Sequence, residues 1–169
     1  MFANVVPSLC PLFSVESDKT VQLATAGQPT PKARGRVVRC DTGVRIYNSS
    51  HAKEAAFAAK LKALMGGLLP HNNTFYGSEY LVVSIVFAYP RPLSHYHGGK
   101  RTAEALKEGM PRFPRHADLD NLAKFVLDAL NGILFDDDSQ VVFLYTRKLW
   151  VPNHEAIGST TVRISFVDI

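Results

Sequence analysis

The sequence predicts an α+β fold, in which a mixed or antiparallel β-sheet carries two principal helices. The composition, with 46% hydrophobic and 20% charged residues in a chain of 169, is typical of one globular domain. Runs of β-branched and aromatic residues at 79–89 and 141–150, and a strict alternation at 160–167, predict strands. Helical periodicity occurs twice, at about residues 50–65 and 119–130.

The first third of the chain is predicted to hold a lead, a strand and a hairpin. Residues 1–19 show no clear pattern, and we expect them to be a variable N-terminal lead to a single domain at residues 20–169. A strand at residues 21–24 ends at a Gly-Gln-Pro-Thr-Pro sequence, which favours a turn. Residues 37–38 and 44–47 flank an Asp-Thr-Gly turn, which predicts a β-hairpin.

The first helix and a long strand come next. Ser49 or Ser50 is suited to cap a helix that is rich in alanine and leucine. Gly66 and a second glycine directly after it end that helix. The strand at residues 79–89 is expected to form the centre of the sheet, and two prolines close it.

Residues 93–115 are predicted to form a long flexible loop. They contain a Gly-Gly pair and scattered charge, with only a short helix-like patch at residues 102–107. Loops of this length inside a compact domain are usually functional or disordered. We therefore expect this loop to become ordered when it closes over a bound ligand.

No membrane or secretory segment is expected. The longest apolar run, residues 81–89, is far shorter than a membrane span requires. The first eighteen residues contain no Lys or Arg, so they lack the charged start of a signal peptide. Cys10 and Cys40 have no metal-type spacing and give no disulfide framework. These features favour the cytoplasm as the location of the protein.

The second helix begins at a carboxylate-rich sequence, Asp118-Leu-Asp120-Asn-Leu-Ala-Lys124. Apolar residues repeat after Asp120 at three- and four-residue steps, so one helix face is core and the other carries Asp120, Lys124 and Asp128. Asp118 is expected at or just before the N-cap, where backbone N–H groups and the helix dipole favour negative charge. An Asn-Gly pair then ends the helix.

A second group of carboxylates, Asp136, Asp137 and Asp138, directly precedes the strand at residues 141–150. Mg²⁺ prefers oxygen ligands and is usually held by one or two carboxylates together with substrate phosphates. Carboxylates from two segments therefore predict a divalent metal site. Spacing alone does not decide which helix end the second group approaches.

These residues resemble the RusA family of Holliday-junction resolvases. Members of that family carry an Asp-x-Asp-Asn-Leu-x-Lys helix, an Asp-Ala-Leu continuation and an Asp-Asp-Ser-Gln-Val segment. The corresponding residues here are 118–124, 128–130 and 137–141, and a weaker likeness extends over roughly residues 20–168. Where members of the family often have a proline before the first aspartate, this chain has Ala117. A third aspartate also precedes the usual pair.

The resemblance implies a RusA-like fold and a set of site residues. Asp118, Asp120 and Asp138 would be metal ligands, and Lys124 would be the catalytic lysine. Because of the additional aspartate, Asp137 or Asp136 is an alternative to Asp138.

The resemblance also implies a function. We expect a Mg²⁺-dependent crossover junction endodeoxyribonuclease, with Mn²⁺ able to substitute, that resolves Holliday junctions by paired symmetric nicks in DNA recombination and repair. A four-way junction has near two-fold symmetry, so a homodimer is expected. The enzyme would act at the nucleoid, or in the host cytoplasm if the chain is viral. Two alternatives stay open: a non-catalytic protein that binds branched DNA, and a less selective metal-dependent nuclease for flaps or single strands.

The formal net charge of +4 is unevenly distributed. Basic residues cluster at residues 32–45 and 91–115, where few carboxylates oppose them. Such clusters can neutralise backbone phosphates. Without the carboxylate motif, solvated loop charge would be the plainer explanation, but beside an acidic site that would repel phosphate, nucleic-acid binding explains them better. The residues predicted to bind DNA are Lys32, Arg34, Arg36, Arg91, Lys100, Arg101, Arg112, Arg115 and Lys148.

Other metal sites are less consistent with the sequence. His95, His97 and His116 do not form a structural zinc quartet, and two of them lie in the Gly-rich loop. The three consecutive aspartates lack the glycine and the distant glutamate of a calcium-binding EF-hand. We expect Trp150 and Phe143 to pack within their strand.

Overall fold

The computed structural model describes residues 13–16, 20–33, 35–41, 43–47, 50–69 and 74–167. Its strands are β1 (Phe13–Glu16), β2 (Thr20–Ala26), β3 (Arg36–Cys40), β4 (Gly43–Tyr47), β5 (Leu81–Tyr89), β6 (Val141–Trp150) and β7 (Ser159–Phe166). Five of them form the main sheet in the order β1, β2, β7, β5, β6. β5 and β6 run parallel, and all other pairs are antiparallel, so the sheet is mixed and the fold is α+β as predicted. β3 and β4 form the predicted hairpin.

The described residues contain two main helices, and both begin and end near the predicted residues. α1 (His51–Met65) has Ser50 at its N-cap and ends at Gly66, which adopts a positive φ of 52°. α2 (Leu119–Leu130) has Asp118 at its N-cap. Glycine adopts positive φ without the steric penalty of a Cβ, which explains its place at the end of α1. Among the described residues, no helix is long and apolar enough to span a membrane.

The core lies between one face of the sheet and the two helices. Alternate residues of β5 point towards the helices and are almost fully buried, since neighbouring side chains on a strand point to opposite faces. α2 buries its apolar face in the same cluster, through Leu122, Phe125, Val126 and Leu130. Burial of each such side chain contributes about 1.5–3 kcal/mol. This packing fixes the orientation of α2 and turns its polar face towards solvent.

The strand arrangement differs from the prediction in two respects. β7 occupies the centre of the sheet, and β5 lies one position from the edge. The last strand inserts between β2 and β5, a long-range pairing that no local pattern encodes. In addition, β1 lies inside the predicted lead and pairs with β2, so the sheet begins before residue 20.

Residues 102–107 form turns and an isolated bridge instead of the predicted short helix. The Thr102 hydroxyl accepts a hydrogen bond from the Ala105 N–H, and Leu106 then bridges to Tyr96. A stretch this short gains too few helical hydrogen bonds to offset the cost of nucleation. The turn therefore prevails.

Candidate active site

The start of α2 presents two carboxylates to solvent. Asp118 is the N-cap residue and Asp120 lies in the first turn, and both are exposed. The residue before them, Ala117, adopts a positive φ of 62°. Its carbonyl accepts a 2.7 Å hydrogen bond from Lys148 Nζ, so Lys148 braces the backbone directly before Asp118. The positive end of the helix dipole favours both carboxylates here.

Lys124 lies one turn after Asp120 on the polar face of α2. Its Nζ is 3.2 Å from Asp128 Oδ1 and 3.6 Å from Asp138 Oδ2. The Lys124 side chain is 57% exposed, so water screens both ion pairs and they orient the ammonium group more than they stabilise the fold. Lys124 therefore links α2 to the loop that carries Asp138.

A second lysine holds Asp128 from the inside of the molecule. Lys32 forms an ion pair with Asp128, and its Nζ also lies 3.9 Å from Glu54 Oε1. The Ser50 hydroxyl donates a 2.5 Å hydrogen bond to Glu54. The side chains of Lys32, Glu54 and Asp128 are all less than one-quarter exposed. This network fixes the carboxylate against which Lys124 rests.

Gln140 holds the loop between α2 and β6 in place. Its Oε1 accepts hydrogen bonds from the backbone N–H groups of Asp136 and Asp137, at 2.8 and 2.9 Å. Its Nε2 donates to the carbonyls of Gly77 and Glu79, both at 2.8 Å. Gln140 is buried, so water does not reach its amide group. The four backbone groups therefore supply the hydrogen bonds that this amide needs.

The three consecutive aspartates of this loop have different partners. Asp137 caps the short 3-10 turn that follows it, and hydrogen bonds from the side chain and the backbone of Ser139 lower the pKa of its carboxyl group. Asp136 Oδ1 accepts a 2.5 Å hydrogen bond from the Thr74 hydroxyl. Asp138 is the one that contacts α2, through its ion pair. This geometry supports Asp138 as the metal ligand, and the assignment itself stays a prediction.

Comparison with known proteins identifies the family. The family model described as endodeoxyribonuclease RusA matches residues 26–164, most of the chain, including the start of α2 and the Asp138 loop. The chain belongs to the RusA endodeoxyribonuclease family. It is also similar to the uncharacterized protein YqaN of Bacillus subtilis (strain 168), with 28% identity over 120 residues, which are 71% of this chain and 82% of that protein.

Two of the arginines predicted to bind DNA have internal partners in this RusA-family chain. Arg91 Nη1 donates a 3.1 Å hydrogen bond to the Pro111 carbonyl, and its guanidinium lies 5.1 Å from the centre of the Trp150 ring. Arg101 Nη1 donates to the carbonyls of Arg91, at 2.7 Å, and Glu155, at 3.3 Å. Both side chains therefore act as ties between loops.

The remaining predicted DNA contacts divide into three groups. Lys32 and Lys148 are engaged in the contacts described above. Lys100, Arg112 and Arg115 are exposed, and their side chains make no hydrogen bond or ion pair within the described part of the chain. These three are the ones with charge free for phosphate. Two further predicted residues fall outside the described residues: Arg34 and the side chain of Arg36.

The segment predicted as a flexible loop is folded back on itself. The His97 N–H donates to the Ala105 carbonyl at 2.7 Å, and the Lys107 N–H donates to the His95 carbonyl at 3.0 Å. The His95 ring packs edge-to-face on Trp150. The segment therefore has internal hydrogen bonds and an aromatic anchor on β6. Its predicted closure over DNA stays a prediction.

His95 occupies a structural position in this segment. Its Nδ1 is buried without a hydrogen-bond partner among the described residues. Burial, followed by the positive charges of Arg91 and Lys107, lowers the pKa of His95. The neutral ring is therefore favoured in the folded protein.

The donor set suits a hard cation that is only partly ligated by protein. In the parts of the chain that the structure describes, no group of three or more His, Cys, Asp or Glu side chains could hold a metal ion. Asp118, Asp120 and Asp138 thus do not form a closed three-carboxylate cage. Exposed carboxylates with open positions fit Mg²⁺, which keeps waters and takes substrate phosphate as a further ligand.

Sequence reasoning missed the roles of Gln140 and Lys148. A signal existed for Gln140, because an Asp followed three residues later by a Gln is the pattern of a capping box. No signal existed for Lys148, whose acceptor is a backbone carbonyl 31 residues away in the chain. Long-range contacts of this kind follow only from the packed fold.

Proposed function

We propose that this chain is a metal-dependent endonuclease that selects four-way DNA junctions and resolves them by paired symmetric nicks in recombination and repair. One observation carries the proposal: in a member of a DNA endonuclease family, Lys124 joins the carboxylate-bearing face of α2 to Asp138. Exposed arginines directly before α2 supply positive charge that favours a polyanion beside an acidic site.

Asp118, Asp120 and Asp138 are the residues that would hold the metal, which we propose is Mg²⁺, with Mn²⁺ able to substitute. When bound, a divalent ion supplies Lewis acidity at the scissile phosphate and makes water a stronger acid. The carboxylates must be ionised to bind it, so we expect activity to fall in acid.

Lys124 contributes a directed positive charge at this site. An ammonium group has three donors and no acceptor, so it suits a phosphate on which negative charge develops. Asp128 and Asp138 lie on either side of it and limit where it points. Lys148 and Ala117 set the backbone from which Asp118 projects.

We also propose that the enzyme is a homodimer joined through β6. β6 is an edge strand, and its residues 142–145 are all apolar or aromatic and between 45% and 53% exposed. Adjacent side chains on a strand point to opposite faces, so both faces of this edge are bare. An antiparallel β6 from a second copy would cover both faces and the free backbone groups. The prediction that Phe143 packs within the strand is wrong, because it belongs to this exposed edge.

The central experiment measures cleavage of a labelled mobile four-way junction with and without Mg²⁺. We expect paired symmetric nicks from the unaltered protein and from Asp41→Asn, a control that removes an exposed carboxylate of the hairpin. Asp120→Asn should retain junction binding and lose cleavage. Equal cleavage of junction, linear duplex and flap would favour the less selective nuclease. Binding without any metal-dependent product would favour the non-catalytic binder.

The dimer is tested by sedimentation velocity. Leu144→Lys places a charge in the β6 edge and should give monomers that make single, unpaired nicks. Leu93→Lys changes a side chain of similar exposure elsewhere and should leave the dimer intact. A dimeric Leu144→Lys variant would contradict the β6 interface.

A further inference from the structure

Phe113 is the most exposed large apolar side chain in the described part of the chain, at 64%. Single exposed apolar residues are common on protein surfaces and by themselves indicate nothing. The surroundings of Phe113 are what make it informative.

The loop at residues 111–117, which carries Phe113, is held in place on both sides of that residue. The Pro111 carbonyl accepts hydrogen bonds from Arg91, at 3.1 Å, and from Trp150 Nε1, at 2.9 Å. Pro114 is buried. Further along, the His116 ring lies edge-on to Tyr89. The exposure of Phe113 therefore comes from a fixed backbone that directs the ring outwards.

Two arginines flank Phe113 in the sequence. Arg112 and Arg115 are exposed, and within the described residues their side chains form no hydrogen bond or ion pair. An outward aromatic ring whose neighbours in the chain carry guanidinium groups without a partner among the described residues is a combination that binds nucleic acid strands: the ring stacks on a base and the cations contact phosphates. A protein partner would gain from the ring but would need carboxylates for both arginines.

Phe113 also lies close to the proposed cleavage site. Phe113 lies five positions before Asp118, so the two Cα atoms are at most about 18 Å apart along the chain. The bases of a linear duplex are stacked on each other, whereas a branch point interrupts the stack. A fixed aromatic ring near the carboxylates could therefore stack on a base at a branch point but not on the stacked bases of a linear duplex.

We infer that Phe113 stacks on an unstacked base at the branch point, with Arg112 and Arg115 contacting the flanking phosphates. Phe113 is thereby a specificity residue that favours branched over linear DNA. This inference rests on the proposed junction-cleaving function and adds to it the group that recognises the branch. Its ligand class is a nucleobase displaced from the helical stack.

The test compares full-length variants in the Asp120→Asn background, which binds without cutting. Affinity is measured by fluorescence anisotropy for a four-way junction and for linear duplex of the same sequence. Phe113→Ala should weaken junction binding by about 5- to 150-fold, since base stacking on an aromatic residue contributes roughly that factor. Duplex affinity should change little. Phe113→Trp should retain junction affinity.

The controls separate stacking from charge and from general loss of apolar surface. Leu68→Ala removes a side chain that is 55% exposed and should bind the junction like its parent. Arg112→Gln should lower the slope of log affinity against log salt by about 1, whereas Phe113→Ala should leave that slope unchanged. A 2-aminopurine probe at the branch point should change fluorescence with the parent and not with Phe113→Ala.

The outcomes distinguish this inference from the proposed function. If the parent binds the junction no better than duplex, the junction-cleaving function fails and the role of Phe113 fails with it. If the parent prefers the junction and Phe113→Ala binds it equally well, the role of Phe113 alone is overturned. If Phe113→Ala instead disrupts the dimer in sedimentation, the ring serves a protein contact and the inference is also overturned.

Discussion

Replacing Gln140 by alanine would remove four hydrogen bonds that hold the Asp138 loop. The buried amide of Gln140 contacts four backbone groups at 2.8–2.9 Å. A hydrogen bond of this kind contributes a net free energy of about 0.5–1.5 kcal/mol. The four hydrogen bonds are not independent, and water can enter part of the space left by the side chain, so the sum of four such contributions is an upper bound. We expect Gln140→Ala to lower the free energy of unfolding by about 2–4 kcal/mol.

Urea unfolding followed by circular dichroism measures this change. With a slope of about 2 kcal/mol per molar urea, the midpoint should fall by about 1–2 M. Gln28→Ala is the matched control, because the same atoms are removed from an exposed side chain, and it should alter the free energy of unfolding by less than about 0.5 kcal/mol. Equal midpoints for the two variants would refute the view that Gln140 holds the loop.

Three further contacts give independent predictions. Asp128→Asn removes one of the two carboxylates that orient the Lys124 ammonium group, so the rate of single-turnover junction cleavage should fall about tenfold at unchanged affinity. An unchanged rate would mean that Asp138 alone is sufficient to orient Lys124. Ala117→Gly should raise the melting temperature by about 3 °C, because glycine adopts the left-handed backbone conformation without strain. Ala117→Pro should lower the melting temperature, because the proline ring requires φ near −65°. Equal melting temperatures for the two variants would contradict this reasoning. Folding lowers the pKa of His95, so the unfolded chain binds a proton at this ring more readily, and the free energy of unfolding should fall as the pH drops below about 6.5. The urea midpoints at pH 7.5 and pH 5.5 should differ less for His95→Gln than for the unaltered protein. An unchanged difference would exclude His95 as the cause.

Most secondary structure was predictable because it depends on local patterns. The apolar repeat of α2, the Asp118 cap and the Asn-Gly stop place that helix to within a residue or two. The alternation in β7 predicts a half-buried strand, and the structure has one at Ser159–Phe166. The position of β7 between β2 and β5 was not predictable, because strand order depends on pairings far apart in the sequence.

The candidate site was also predictable only in part. Residue types and spacing place Asp120, Lys124 and Asp128 on one helix face, with Asp118 at the N-cap, since helical geometry relates neighbours four residues apart. The fates of the basic side chains were not predictable. Lys32 and Arg91 belong to charged clusters in the sequence, yet in the fold they pair with Asp128 and with the Pro111 carbonyl. A long flexible side chain takes whichever partner the folded chain brings near.

The sequence by itself determined the fold class, the family resemblance and the carboxylates that are available, because these depend on residue type and short-range periodicity. The tertiary structure decided which of three adjacent aspartates contacts α2, and which basic residues have charge free for DNA. The three carboxylates have different partners: Lys124 contacts Asp138, the Thr74 hydroxyl contacts Asp136, and the Ser139 N–H contacts Asp137. These pairings depend on tertiary packing, because Thr74 and Lys124 reach the aspartate loop only when the segments that carry them are folded against it.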